Sequence, residues 1–193
     1  MNKFLLTTLF ASGMLAASLT SVAQDQPKML VYINPNEFSH EILIHTPYYE
    51  HWFSQGPQIE ALAKEKLGAE FGDVAMCEGY SSANTVVWIR PSMFYNPIIR
   101  TYYGKIVAEV YTSNGASLGK FTVEAKHNGQ IDVNTAGQIN ETYSSAMTDL
   151  VSQMAASSSI HSALDGPATN NESKLPCSNV ALLSNSGFGI SGF

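Results

Sequence analysis

Three of the five histidines stand close together, at His40, His45 and His51, with Glu37, Glu41 and Glu50 nearby. His and carboxylate side chains in such a cluster could hold a metal ion or carry hydrolytic chemistry once brought together in space. The run His40-Glu41-Ile42-Leu43-Ile44-His45 imitates a zinc-peptidase box, but that box needs its histidines at i and i+4. A spacing of five puts the two rings about 140° apart around a helix. On a strand it puts them on opposite faces. The expectation is therefore strand histidines in solvent, with a hydrolase or a metal- or ligand-binding site around His40, His45 and His51 as the alternative.

Other motifs fail on context. Gly187-Phe188-Gly189-Ile190-Ser191-Gly192 spells the dinucleotide fingerprint, but only Phe193 follows where a helix is needed. Ser117-Leu118-Gly119-Lys120 matches a serine–lysine pair, yet it lies at the exit of an expected hairpin without a companion K-T-G. Gly79-Tyr80-Ser81-Ser82-Ala83 lacks the second glycine of a nucleophile elbow. No catalytic, cofactor-binding or metal-ligating residue is assigned.

Aromatic side chains are the positive signal. Tyr48, Tyr49, Trp52 and Phe53 form one cluster, and Phe94, Tyr95, Tyr102 and Tyr103 another. Exposed apolar residues of this kind mark binding surfaces, whereas buried ones only build a core. The stretch 90–97 joins two aromatics, two prolines and a scarce arginine. Trp52, Arg90, Phe94, Tyr95 and Tyr102 are therefore the candidate partner surface.

The elements that would carry these residues follow from periodicity. Residues 29–33 and 41–46 read as strands stopped by Pro35 and Pro47. Residues 57–71 read as a helix, since Ile59, Leu62, Ala63, Leu67 and Phe71 share a face. Residues 73–77 and 85–90 read as strands, with Pro91 ending the second or marking a sheet edge. Residues 105–112 and 120–126 alternate apolar with polar around Asn114-Gly115, a strong hairpin signal. Ile139, Tyr143, Ala146, Met147, Leu150, Val151 and Met154 form the stripe of a second helix, with Thr135 and Gln138 as a capping box. The fold class expected is α+β: a mainly antiparallel sheet of about five strands with two helices on one face.

Residues 1–23 have the layout of a secretory signal peptide, cut after Ala23: Lys3, an uncharged run, then Ser21-Val22-Ala23. Export implies a periplasmic or secreted protein, and Cys77 with Cys177 implies one disulfide. Two free buried thiols are the alternative. The expected organisation is a signal peptide at 1–23, an α+β domain at 24–156 and a Ser/Asn/Gly-rich tail at 157–193, tethered by the disulfide.

Composition narrows the function. Charged residues are 13% of the chain, about half the usual share, and the net charge is -6. That excludes a nucleic-acid binder resting on a basic surface. Nothing after the signal segment is long and apolar enough to span a bilayer.

Across residues 56–156 the order helix, hairpin, closing amphipathic helix resembles the LptE- and YajG-like lipoproteins and the TolB N-terminal type of domain. The hairpin pairs Ile106 to Val110 with Phe121 to Ala125, and the closing helix runs from Ile139 to Met154. That group carries a lipidated cysteine after its signal, where this chain has Gln24-Asp25. The resemblance implies an envelope-associated, non-catalytic role. The function expected is a non-enzymatic exported accessory protein that binds an envelope protein or an envelope ligand.

Overall fold

The structure is a computed structural model that describes residues 27–45, 50–77, 82–132, 134–166 and 176–186. The signal segment with its cut after Ala23, Tyr48, Tyr49, Gly79 to Ser81 and the Gly187–Gly192 motif lie outside the described residues, as does the His45 side chain.

The elements run β1 (Met29–Tyr32), α1 (Pro35–Phe38), β2 (Glu41–His45), β3 (Glu50–Ser54), α2 (Gln55–Phe71), β4 (Val74–Met76), β5 (Thr85–Asn96), β6 (Thr101–Thr112), β7 (Ser117–Asn128), α3 (Thr135–Ala155), α4 (Ser158–Leu164) and α5 (Pro176–Ser186). Five strands form one sheet in the order β4-β1-β5-β6-β7, and β2 pairs with β3 in a separate two-stranded sheet. The class is α+β, as expected. The long β5–β6 and β6–β7 pairs are antiparallel, while short β1 runs parallel to both neighbours. Its four residues are all buried, as a strand covered on both faces requires.

Alternation along the strands sorts residues between two faces. Met29, Val31, Val87, Ile89, Ile106, Ala108, Val110 and Val123 meet α2 and α3 in one continuous core. The α2 stripe expected at Ile59, Leu62, Ala63, Leu67 and Phe71 is buried there in full. So is the α3 stripe, apart from half-buried Val151. At Gly104 the helix comes so near that a Cβ would stand 2.9 Å from Thr142 Cγ2, which is why the sheet carries a glycine there. Buried Tyr143 donates its hydroxyl hydrogen bond to Gln55 Oε1, tying α3 to the start of α2.

The opposite face holds a smaller cluster of Leu30, Tyr32, Val86, Trp88 and Tyr111 with Cys177 and Val180 of α5. The Cys77–Cys177 disulfide is formed, with Cα atoms 5.7 Å apart, and spans 100 positions of sequence. Ser184 of α5 adds contacts of 3.3 Å to the Tyr32 hydroxyl and 3.0 Å to Asn34 Nδ2.

Several expectations change. β5 runs through Pro91 to Asn96, because its pairing with β1 ends at Trp88. Beyond that point its β1 side is a sheet edge, where a residue without an N–H is tolerated. The second aromatic cluster, which lies outside the elements read from periodicity, thus stands on paired strands: Phe94 faces Tyr103, and Tyr95 faces Tyr102. The capping box of α3 is not formed. Thr135 Oγ1 turns back to the Asp132 backbone, and Gln138 Nε2 reaches the Gln130 carbonyl. The stretch after Ala156, which shows no periodic core face in sequence, contains α4 and α5, and Ile160, Leu164 and Val180 are buried.

Candidate interaction surface

The face under α5 gives way to a charged row as it crosses from β5 to β7. Register places Trp88 opposite Glu109, and Glu109 opposite Lys120. The Arg90 guanidinium lies 4.3 Å from the Trp88 ring centroid and pairs with the Glu109 carboxylate. The Tyr111 hydroxyl donates to Glu109 Oε2 at 2.6 Å, and Lys120 Nζ stands 3.2 Å from Oε1. Burial alone would raise the Glu109 carboxyl, but the Tyr111 hydroxyl, Lys120 and Arg90 outweigh it and hold it below the ordinary carboxylate range. Burial and then the same carboxylate push the Tyr111 hydroxyl up to about 12. Over this row sits Glu37 of α1. Desolvation raises its carboxyl, against the pull of Arg90 and Trp88. The row balances its charges around Glu109 and holds Trp88 and Arg90 in place, while Trp88 Nε1, Arg90 Nε and Glu37 Oε2 are buried without a hydrogen-bond partner among the described residues.

The far end of the β5–β6 hairpin is different. Ile98 is 88% exposed, Ile99 55% and Phe94 60%. This display is built. Asn96 Oδ1 accepts from Ile98 N at 3.0 Å and from Ile99 N at 3.4 Å. Arg100 takes the left-handed conformation (φ 50°) that turns the chain into β6. Gly129 N donates to the Arg100 carbonyl at 2.8 Å. Thr101 Oγ1 donates to the Ile99 carbonyl at 3.0 Å and meets Asn128 Oδ1 at 2.9 Å. Phe94 rests against Tyr103 with ring centroids 6.0 Å apart, and Lys126 Nζ lies 5.2 Å from the Tyr103 ring centroid. A fixed turn thus holds two isoleucines and a phenylalanine in water, beside Arg100 and Lys126. Large apolar side chains held out in this way are the signature of a docking surface.

The sequence-derived candidates divide. Arg90, Phe94 and Tyr95 lie along one strand. Trp52, 56% exposed, lies on the two-stranded sheet, directly opposite exposed Leu43. Tyr102 is a correction: it is fully buried, its ring packs on Tyr95 at 4.6 Å and its hydroxyl donates to the Gln130 carbonyl. It belongs to the core because its neighbour Tyr103 takes the outward position of the alternation. Tyr95 is likewise turned in, donating to the Gly129 carbonyl at 3.3 Å. His40 is exposed, and His51 stacks on Phe53 with centroids 6.1 Å apart. Among the described residues no group of three His, Cys, Asp or Glu side chains is placed to hold a metal ion.

Ile98 and Ile99 were not among the candidates. Their signal was present, as two β-branched apolar residues directly after Asn96-Pro97, where a turn between strands would hold polar side chains.

No protein-family model and no curated protein matches the chain. Solved structures with a similar outline include a minor lipoprotein from Acinetobacter baumannii, 13% identical, covering 70% of this chain and 94% of that one, with a TM-score of 0.38. They also include the PelC dodecamer from Paraburkholderia phytofirmans, at 17% identity, 65% and 87% coverage and a TM-score of 0.46. A DUF330 protein from Xanthomonas campestris is 12% identical, with 68% and 85% coverage and a TM-score of 0.40. Likeness at this level concerns outline alone and carries no statement about partner or chemistry. No helix among the described residues is long and apolar enough to cross a membrane. The disulfide accords with an oxidising compartment.

Proposed function

We propose that this is a non-enzymatic, exported accessory protein of the cell envelope that docks on another envelope component through the tip of its β5–β6 hairpin. The observation that carries the reading is the exposure of Phe94 on β5 and of Ile98 and Ile99 on a turn braced by Asn96 and Thr101. Arg100 and Lys126 beside it would orient a partner with acidic or phosphate groups. The reading takes residues 1–23 as a signal peptide removed after Ala23, residues 24–156 as the α+β domain and residues 157–193 as a tail tied down by the disulfide. Export supplies the compartment, and the tip supplies the contact.

The test is capture from a gently solubilised envelope extract, comparing wild type with the triple variant Phe94→Ala, Ile98→Ala, Ile99→Ala. These side chains are exposed, so the variant keeps its fold, which circular dichroism verifies. One envelope component recovered by wild type and lost with the variant is the expected result. Equal recovery by both proteins, or recovery by neither, overturns the reading.

A further inference from the structure

The two edges of the five-stranded sheet are unlike. β4 is a three-residue strand whose end is anchored by Cys77. β7 is a 12-residue strand, and among the described residues no strand lies beyond it. Among the described residues, and apart from the pairing with β6, only Ser159 Oγ bonds to its backbone, donating to the Leu118 carbonyl at 3.2 Å near the start of the strand. Proteins blunt a long edge by shortening it, by placing proline or a bulge in it or by lining it with charged side chains. β7 is long and free of proline, has one irregularity near its start, and lines its edge with charges of both signs. Its water-facing residues read Lys120, Thr122, Glu124, Lys126.

That order is complementary to itself. When two copies of β7 run antiparallel about a two-fold axis at Thr122, Lys120 of each copy faces Glu124 of the other, and Thr122 faces Thr122. Thr122 sits at the middle of the strand, so this register uses nearly its whole length. Within one chain Glu109 already faces Lys120, and Lys105 already faces Glu124. Across the joint the row would read Glu109, Lys120, then Glu124 and Lys105 of the second copy, with no like-charge step. On the helix side the same register sets half-buried Phe121 against Val123 of the second copy, continuing the Ala108–Phe121 and Ile106–Val123 rows. An axis at Val123 instead would set Lys120 against Lys126, and one at Glu124 would set that carboxylate against its own copy. Opposite charges and paired threonines directly across an antiparallel joint stabilise it, and like charges oppose it. We infer that β7 is the joint of a two-fold dimer, with the sheet running on from one copy into the next in the register centred on Thr122. This surface shares Lys126 with the hairpin tip but does not rest on the envelope reading.

The test is a charge swap read by light scattering and sedimentation equilibrium of the purified protein. Wild type is expected to be a dimer. Lys120→Glu alone and Glu124→Lys alone each turn two attractive pairs into two repulsive ones and weaken it roughly tenfold or more. Both residues are exposed, so each variant keeps its fold, which circular dichroism verifies. Mixing the two variants restores opposite charges at both pairs, and the dimer returns as a heterodimer. That restoration is the readout a general loss of stability would not give. A wild-type chain that stays monomeric overturns the inference and leaves the edge to a strand of another protein. Single variants that dimerise as well as wild type, or a mixture that stays monomeric, overturn the register.

Discussion

The two faces of the five-stranded sheet are held by different physics. One face lies under α2 and α3, and its central strand rows are apolar. The other has a small apolar patch under α5, then a row of charges, then exposed side chains. The first face holds the fold by burial, and each buried aliphatic there contributes about 1.5–3 kcal/mol. The second depends on one disulfide, the Ser184 contacts and the balanced row around Glu109. A face that does not carry the core is free to vary, and that face and the hairpin tip beyond it hold Trp88, Arg90 and Phe94. On the proposed reading, stability and contact are separated across the thickness of one sheet.

Two neighbouring residues of β6 give the sharpest division. Ile106 points into the core, while Val107 points to the other face and is half-buried. Ile106→Ala is expected to cost about 2–5 kcal/mol of unfolding free energy. Val107→Ala is expected to cost less than about 1 kcal/mol. Equal losses in urea denaturation would erase the distinction between the faces.

Removal of the disulfide by Cys77→Ser with Cys177→Ser comes next. A loop of 100 positions gives at most about 4–5 kcal/mol in the chain-entropy model, and native bonds commonly deliver about 2–4. The loss is expected to be uneven. In hydrogen exchange, α5 amides lose protection while α2 and α3 keep theirs. Uniform loss across all three helices would show the second face to be part of the main core.

The smallest effect is one of pH. Glu109 is held below its ordinary range in the folded chain, so its contribution is present above the unfolded carboxylate pKa and is lost as pH falls through the lower folded value. Tyr111 is raised to about 12, so its contribution is complete below the unfolded value of 10.0 and fades as pH rises towards 12. The melting temperature of wild type is expected to fall at both extremes. Glu109→Gln flattens the acid limb and Tyr111→Phe the alkaline one. Limbs unchanged in the variants would place the titrating groups elsewhere.

Much of the helix-covered face was legible in sequence, and little of the other. The α2 and α3 stripes repeat at 3.6 residues and the β6–β7 hairpin at two, so burial on a single face writes itself into the pattern. Asn114-Gly115 announced its turn, and Gly115 takes φ 82° there. The bonded cysteines were legible because two cysteines in a chain read as exported allow one pairing. The other face left no such trace. Pro91 hid the second half of β5, since its tolerance depends on where β1 stops, a fact of tertiary structure. α5 leaves its two leucines, Leu182 and Leu183, exposed, so its apolar residues trace no buried stripe, and it is held by a bond between residues far apart in sequence. Tyr102 and Tyr103 are alike in type, and only strand parity decides that one is core and the other surface. Trp52 lay in a cluster outside the elements read from periodicity and stands in β3.

The most direct test of the central claim is site-specific photocrosslinking in intact cells, with the reactive group at Ile98 and, as a control, at exposed Glu65 on α2. A docking tip gives one dominant adduct with an envelope component from position 98 and none from position 65. Adducts from position 65 alone, or no adduct from position 98, would contradict the assignment of contact to the hairpin tip.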